Sequence, residues 1–150
     1  MKELNKIYFE DCLIGMSKID NKSVDMILCD LPYQITGQLW DEIIPLNKLW
    51  LSYERIIKDN GIIVLTACQP FTSKLVCSNL KFFKYEWVWE KDQGRNFQLV
   101  KKQPLKITES ILIFYKNFSK YYPQDLVKLD NPIVKSNKFK GGNLGHCASE

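Results

Sequence analysis

The four residues from Asp30 to Tyr33 combine an acid, a rigid turn and an aromatic ring directly after an apolar stretch. Val24 to Cys29 is nearly continuously apolar, which predicts a strand buried on both faces that ends at Asp30. A carboxylate at the carboxyl end of such a strand lies where α/β sheets bind ligands. Pro32 biases Leu31 away from the helical region and keeps the Leu31 carbonyl in an extended segment. The simpler interpretation, a turn aspartate beside an ordinary loop tyrosine, is not excluded by these residues alone.

A second candidate set is a run of cations and rings in the second half of the chain. The net charge is +4, from 21 Lys+Arg and 17 Asp+Glu, and much of the positive charge gathers there. The members are Lys81, Lys84, Lys91, Arg95, Lys101, Lys102 and Lys106, which alternate with Phe82, Phe83, Tyr85, Trp87, Trp89 and Phe97. Cations for phosphates beside rings that can stack on bases are typical of a nucleic-acid surface. Solvated lysines flanking a buried aromatic strand would give the same composition, so both interpretations stay open.

The cysteine pattern argues against a zinc site or a disulfide framework. The five cysteines are an odd number without a C-x-x-C pair, and the single histidine adjoins only the last of them. We therefore expect no metal. Most of the cysteines have apolar neighbours and are expected to be small core residues. They are Cys12, Cys29, Cys68, Cys77 and Cys147.

Length and composition predict one globular unit. The chain has 150 residues, of which 45% are hydrophobic and 25% charged. It lacks the run of roughly 18 uncharged apolar residues that a membrane span needs, and its start lacks the apolar stretch of a signal peptide. We therefore expect a cytoplasmic protein without a membrane partner.

Strands and helices alternate along the first 115 residues. Asp11 is a plausible N-cap for a first helix, and apolar spacing predicts a second helix that Asn60-Gly61 ends. A third helix follows Pro70-Phe71. Further strands, expected to be buried, are Ile62 to Leu65, Tyr85 to Trp89 and Ile111 to Tyr115. This alternation predicts an α/β fold with a parallel or mostly parallel sheet, followed after Lys116 by a loop-rich tail.

Asp30-Leu31-Pro32-Tyr33 resembles the D-P-P-Y signature of the DNA methyltransferases that act on adenine N6 or cytosine N4. The chain is similar to phage-type and restriction-associated members in which the catalytic half precedes the cofactor half, over about residues 5 to 125. The segments that extend the resemblance include Ile35-Thr36, Trp40-Asp41, Gln69-Pro70-Phe71, Trp87-Val88-Trp89-Glu90-Lys91, Lys101-Lys102-Gln103-Pro104-Leu105 and Glu109-Ser110-Ile111-Leu112.

The resemblance implies a partial Rossmann-like S-adenosylmethionine-dependent fold and a catalytic role for Asp30, Leu31, Pro32 and Tyr33. The Asp30 carboxylate and the Leu31 carbonyl would each accept one hydrogen of the target amine, while Tyr33 stacks on a base flipped out of double-stranded DNA. Leu31 departs from the family's first proline, although its carbonyl is kept. The aspartate favours adenine, since cytosine N4 members more often have serine there.

The resemblance also implies roles for residues outside the signature. Asp11, Cys12 and Asp30 would lie near the methyl donor, S-adenosyl-L-methionine, although an N-cap role explains Asp11 equally well. Four cations fall where related enzymes approach DNA, and each could also be simply solvated. They are Lys91, Arg95, Lys101 and Lys102.

One family feature is missing from the sequence. The donor-binding half should carry a strand, a Phe-x-Gly-x-Gly loop and a helix, and the glycines of residues 140–145 follow no apolar strand. We therefore expect residues 1–120 to form the catalytic-half domain, without the cofactor-loop strand and helix, and residues 121–150 a loop-rich tail at the start of the recognition region. A second chain or a missing segment would supply the donor half. The alternative is a catalytically inactive nucleic-acid-binding fragment or relic.

Overall fold

The computed structural model describes residues 5–34, 36–38 and 41–124, which form one four-stranded sheet with helices. In chain order the elements are α1 (Cys12–Ser17), β1 (Val24–Asp30), α2 (Leu46–Ile56), β2 (Ile57–Ala67), α3 (Phe71–Ser78), β3 (Phe83–Arg95), a 3-10 turn (Phe97–Leu99) and β4 (Lys106–Phe114). The chain divides into two compact units, Met1–Lys120 and Tyr121–Glu150. All of these elements belong to the first unit. Beyond residue 124 the predicted loop-rich tail, including the glycines of 140–145, His146 and Cys147, lies outside the described residues.

The sheet has the strand order β1-β2-β4-β3. β1 and β2 are parallel, whereas β4 is antiparallel to both of its neighbours. Three strands therefore run in one direction and β4 runs in the other, because a short connection joins β3 to β4 and such a connection makes an antiparallel pair. The predicted α/β class and partial Rossmann-like fold are confirmed, with this one reversed strand.

One face of the sheet packs against the helices. The apolar positions of α2 recur at helical spacing, and Leu49, Trp50, Tyr53 and Ile56 are all buried. The same core takes in side chains from α1 and α3, from alternate positions of β2, and from Leu112 and Phe114 of β4. Because alternate strand residues point to the same side, these contacts place the three helices on one face.

The opposite face leaves large apolar side chains in contact with solvent. Met26 and Leu28 of β1 are 50% and 68% exposed, and Trp87 and Trp89 of β3 are 50% and 48% exposed. The prediction that these strands are buried on both faces is therefore wrong. β1 and β3 are the two edge strands, and none of the helices in the described part of the chain covers this side of them.

Gly61 has a different role from the one predicted. Helix α2 ends at Ile56, where Ile57 turns to an extended conformation, and β2 begins at once, so Asn60-Gly61 lies inside the strand. A Cβ atom at Gly61 would lie 2.8 Å from the Ile57 side chain and 2.9 Å from the Asp25 carbonyl oxygen. The glycine thus permits close packing of β2 on β1 and does not end a helix.

The predicted N-cap of α1 is confirmed. Asp11 Oδ1 accepts hydrogen bonds from the backbone N–H groups of Leu13 and Ile14, at 2.9 and 3.0 Å. At the other end of α1, the Arg55 guanidinium donates to the carbonyl oxygens of Met16 and Ile19. These bonds satisfy backbone groups that a helix terminus leaves open and hold α1 against α2.

The cysteines fit the core prediction only in part. Cys68 is buried and Cys29 is partly buried, whereas Cys12 and Cys77 are exposed because they lie on the solvent sides of α1 and α3. The prediction of core positions is therefore wrong for those two. Within the described ranges, no helix is long and apolar enough to cross a bilayer, and the longest has 11 residues.

Candidate active site

The candidate site lies at the edge of the sheet where β1 and β2 end. Asp30 is the last residue of β1, and its Cα partner in the register of the parallel pair is Thr66 of β2. Parallel strands bring their carboxyl ends to the same edge, which is where α/β sheets bind ligands. The Asp30 side chain is exposed there and is therefore accessible to a ligand.

Three oxygen atoms form a closed triangle at this edge. Asp30 Oδ1 accepts from the Thr66 hydroxyl and the Tyr33 hydroxyl, both at 2.5 Å, and the two hydroxyls are 2.7 Å apart. Among the described residues, none donates to Asp30 Oδ2. One carboxylate oxygen is therefore fixed by the protein, while the other can accept a hydrogen from a ligand.

Tyr33 connects the triangle to the core. Its ring stacks on Phe71, the first residue of α3, with centroids 5.3 Å apart and an interplanar angle of 25°. Burial raises the pKa of the Tyr33 hydroxyl, and its hydrogen bond to Asp30 raises it further. The hydroxyl therefore stays protonated near neutral pH and serves as a donor. The predicted stacking of Tyr33 on a base stays a prediction.

The remaining two residues of the signature are packed differently. The Leu31 side chain is 6% exposed and belongs to the hydrophobic core, and Pro32 is half-buried. The structure thus gives a physical reason for leucine at the position where the family has its first proline. An apolar side chain is accommodated by the core, and any residue supplies the same backbone carbonyl.

A buried carboxylate holds the loop that follows the signature. Asp41 is 4% exposed and accepts hydrogen bonds from the backbone N–H groups of Gln34 and Thr36, at 2.8 and 2.7 Å. The Thr36 hydroxyl donates to it as well, at 2.8 Å. These bonds offset the cost of burying the charge and fix the chain on the far side of Tyr33. Ile35 and Trp40, which the resemblance includes, lie outside the described residues.

Two of the three residues predicted to bind the cofactor, Asp11 and Cys12, lie at the start of α1, and the third, Asp30, ends β1. Asp11 and Cys12 are exposed at the start of α1, where Asp11 caps the helix. Burial raises the pKa of the Cys12 thiol, and the charges of Asp11 and Cys29 raise it further. Cys29, in turn, directly precedes Asp30 in β1. Donor binding by Asp11, Cys12 and Asp30 stays a prediction.

The cations predicted to bind DNA lie on the long hairpin of β3 and β4. Lys91 pairs with Glu109 at 2.5 Å, and its ammonium group lies 5.3 Å from the centroid of the Trp89 ring. Arg95 ends β3, while Lys101 and Lys102 are exposed in the connection to β4. The ion pair gives Lys91 a structural role that the sequence pattern did not predict. Contact with DNA stays a prediction for all four.

Sequence reasoning gave no role to Thr66, Asp41 or Phe71. Thr66 had a usable signal, because it follows the apolar run Ile62 to Leu65 and so ends a predicted strand next to β1. Asp41 and Phe71 occur in segments of the resemblance, but their partners become visible only in the folded chain. In the part of the chain that the structure describes, no group of His, Cys, Asp or Glu residues could hold a metal ion.

Comparison with known proteins gives one curated relative and several similar folds. No family model matches the chain. The Type II methyltransferase M1.MboII of Moraxella bovis is 26% identical over 152 residues, covering 93% of this chain and 56% of that protein. The M1.HpyAVI complex with SAM has a TM-score of 0.52 and 19% identity, over 78% of this chain and 58% of that one. The PvuII cytosine-N4-specific DNA methyltransferase has a TM-score of 0.55 and 13% identity, over 75% of this chain and 50% of that one.

The structural matches agree with the fold. The chain spans about half the length of the proteins it matches, since it covers between 50% and 58% of each of these three. The part that it covers includes the strand and turn of the candidate site. The chain is therefore similar in sequence to a Type II methyltransferase and in fold to DNA methyltransferases, and it matches about half of their length.

Proposed function

We propose that this chain forms the catalytic part of a site-specific DNA methyltransferase that modifies adenine N6 in double-stranded DNA. The observation that carries the proposal is the Asp30 carboxylate, which is exposed at the end of β1 with one oxygen held by two hydroxyls. An exocyclic amine is a poor nucleophile because its lone pair is delocalised into the ring. An acceptor held in place beside it would counter that delocalisation.

The residues of the signature divide this work. Asp30 Oδ2 and the Leu31 carbonyl each accept one amine hydrogen, which favours a pyramidal nitrogen and stabilises the positive charge that develops on it. Tyr33 and Thr66 keep the carboxylate from rotating, since both hydroxyls hold Oδ1. The base reaches this edge only after it leaves the duplex, and the Tyr33 ring is the nearby surface on which it stacks.

The choice of adenine rests on the acid itself. Family members that act on cytosine N4 more often carry serine where this chain has Asp30, so the aspartate favours adenine. One of the similar folds is named as cytosine-N4-specific, so the fold alone does not select adenine. The chemistry of the acceptor, rather than the fold, supports the assignment.

The methyl donor would be S-adenosyl-L-methionine, which one of the similar structures contains. It supplies the electrophilic methyl group when it is bound. Asp11, Cys12 and Asp30 are the residues of this chain that would face it, as the resemblance to the family implies. No glycine-rich loop follows a strand among the described residues, so these three make only part of a donor site.

We propose that the rest of the donor site comes from a further polypeptide segment or a second chain. The outer edge of β1 pairs with none of the described strands, and Met26 and Leu28 beside it are exposed. Ile7 and Phe9 are fully exposed as well. Parallel sheets of this class are normally covered on both faces, so these side chains are the expected contact for the completing segment.

A methylation assay tests this function. The chain is mixed with tritium-labelled S-adenosylmethionine and duplex DNA, with and without a polypeptide that carries the Phe-x-Gly-x-Gly half, and the labelled nucleosides are separated. We expect N6-methyladenine from the mixture and no label from this chain alone. Calorimetry on the chain alone should show donor binding weaker than micromolar.

Three results would contradict parts of this account. Label in N4-methylcytosine would overturn the choice of base, and micromolar donor binding by this chain alone would overturn the need for completion. An assembled complex that binds both donor and DNA without transferring label would favour the alternative, a catalytically inactive nucleic-acid-binding relic.

A further inference from the structure

A cavity of about 390 Å³ lies between the loop that follows the Asp30–Tyr33 signature and the β3–β4 hairpin. Its lining connects it to the candidate site, because Thr36 belongs to the loop held by Asp41 and Cys68 follows Thr66 by two residues. Among the described residues, the charged members of its lining are Lys91, Arg95, Lys106 and Glu109. A volume of this size is in the usual range for a small-molecule site.

The cavity carries a net positive charge. Of its three cations, Lys91 is neutralised by Glu109, the one carboxylate in the lining, and both of these side chains are about four-fifths buried. Arg95 and Lys106 form no ion pair with any residue in the described part of the chain. Two uncompensated positive charges therefore face the same cavity.

Arg95 and Lys106 also lie directly opposite each other across the antiparallel pair of β3 and β4. Like charges at directly opposed positions destabilise a sheet, so this pairing is unfavourable in the absence of an anion. An anion bound between them would offset the repulsion. A neighbouring cavity of about 320 Å³ contains Glu90 and Asp92 as well as cations, and it offers no comparable excess of positive charge.

We propose that Arg95 and Lys106 clamp a backbone phosphate of the DNA strand that carries the target base. This inference rests on the proposed function and adds a phosphate site to it. A base that leaves the duplex carries its sugar and phosphates with it, and the clamp would hold that backbone while Asp30 holds the amine. Lys91 and Glu109 do not contribute net charge to this clamp.

Binding of fluorescein-labelled DNA tests the clamp without any methyl transfer. The probe is a duplex with one unpaired adenine, and its affinity for the 150-residue chain is measured by anisotropy between about 50 and 200 mM KCl. In the double variant Arg95→Gln/Lys106→Gln, the magnitude of the slope of log affinity against log salt should fall by about 0.9, because the contact with one phosphate is lost. The thermal midpoint should stay unchanged or rise, since the repulsion is relieved.

The matched control is Lys48→Gln/Lys74→Gln, which removes two exposed charges from α2 and α3 on the other side of the molecule. It should leave the salt slope within about 0.5 of the original value. An equal fall in the control, an unchanged slope in the clamp variant, or no binding by the original chain would overturn the proposal.

Two further experiments distinguish a DNA phosphate from the carboxylate of the methyl donor as the bound anion. If the clamp variant instead loses donor affinity in the assembled enzyme and keeps its DNA salt slope, the cavity holds the carboxylate of the methyl donor and the DNA proposal is wrong. Asp30→Ala should keep the salt slope of the original chain, because this carboxylate contacts no phosphate. Failure of methylation would therefore leave the phosphate result standing, and the two proposals can fail separately.

Discussion

The Asp30 carboxylate has two oxygens in different situations. Oδ1 accepts from Thr66 and Tyr33, whereas Oδ2 receives no hydrogen bond from the described residues. A carboxylate that is fixed through one oxygen is preorganised, because it loses little rotational freedom when the other oxygen binds a ligand. We therefore propose that Thr66 positions Asp30 and does not itself touch the reacting amine.

Thr66→Val tests this role. Valine has nearly the same shape but donates no hydrogen bond, so one of the two bonds to Oδ1 is lost. A hydrogen bond to a charged group contributes about 1.5 kcal/mol or more, and we expect kcat in the assembled enzyme to fall about tenfold with little change in KM. Thr66→Ser should restore the rate. A large rise in KM at unchanged kcat, or no rescue by serine, would contradict the positioning role.

At the residue scale, the sequence predicted the acid but not its partners. Asp30 and Tyr33 stand in one short segment whose order resembles a known signature, so their importance is visible without a structure. Thr66 is 36 residues away from Asp30, and its contact depends on the exact register of β1 and β2. Register is set by packing across the whole pair and is not read from either strand alone.

At the scale of elements, the alternation of strands and helices was predictable while several of their ends were not. Helix α2 was predicted from its apolar spacing, yet its end was placed at Asn60-Gly61 because that pair commonly ends helices. The chain instead turns at Ile57 and enters β2 without a loop. The end of α2 is therefore set by the pairing of β2 with β1, although the local sequence favours a later end.

The packing of α2 on β1 gives a prediction for alkaline pH. Tyr53 is buried, and burial raises the pKa of its hydroxyl above the ordinary value of about 10, with the nearby Cys29 raising it further. The unfolded chain ionises first, so this stabilisation is complete below about pH 10 and is lost as the pH rises further.

We expect the thermal midpoint to fall above about pH 10, and to fall less steeply in Tyr53→Phe. The midpoint is followed by circular dichroism from neutral to alkaline pH. Tyr121→Phe is the matched control, because Tyr121 is 70% exposed. A pH dependence in Tyr53→Phe as steep as in the control would contradict the assignment to this buried hydroxyl.

At the scale of the whole molecule, helices cover one face of the sheet, and no described helix covers the other. The three helices bury a shared core, and the opposite side leaves Met26, Leu28, Trp87 and Trp89 in solvent. Continuous apolar strands led to the prediction of burial on both faces, which holds for complete sheets of this type. Here the described helices cover one face only, and the chain covers 56% of the length of M1.MboII.

The same scale explains why the donor site could be predicted only in outline. The residues proposed for it, Asp11 and Cys12, lie at the start of α1, and no glycine-rich loop follows a strand among the described residues. A site assembled from distant segments is defined only when all of them are present. The base-holding edge depends on β1, β2 and α3 alone, and these are complete here.

The most direct test of the account is the rate of methyl transfer by Asp30→Ala in the assembled enzyme, with DNA binding measured in parallel. Removal of the acceptor should lower kcat by about 100-fold or more, because a fixed acceptor at the developing charge contributes on the order of 3 kcal/mol. The salt slope of DNA binding should stay the same. Methylation at close to the original rate would show that this carboxylate does not activate the amine.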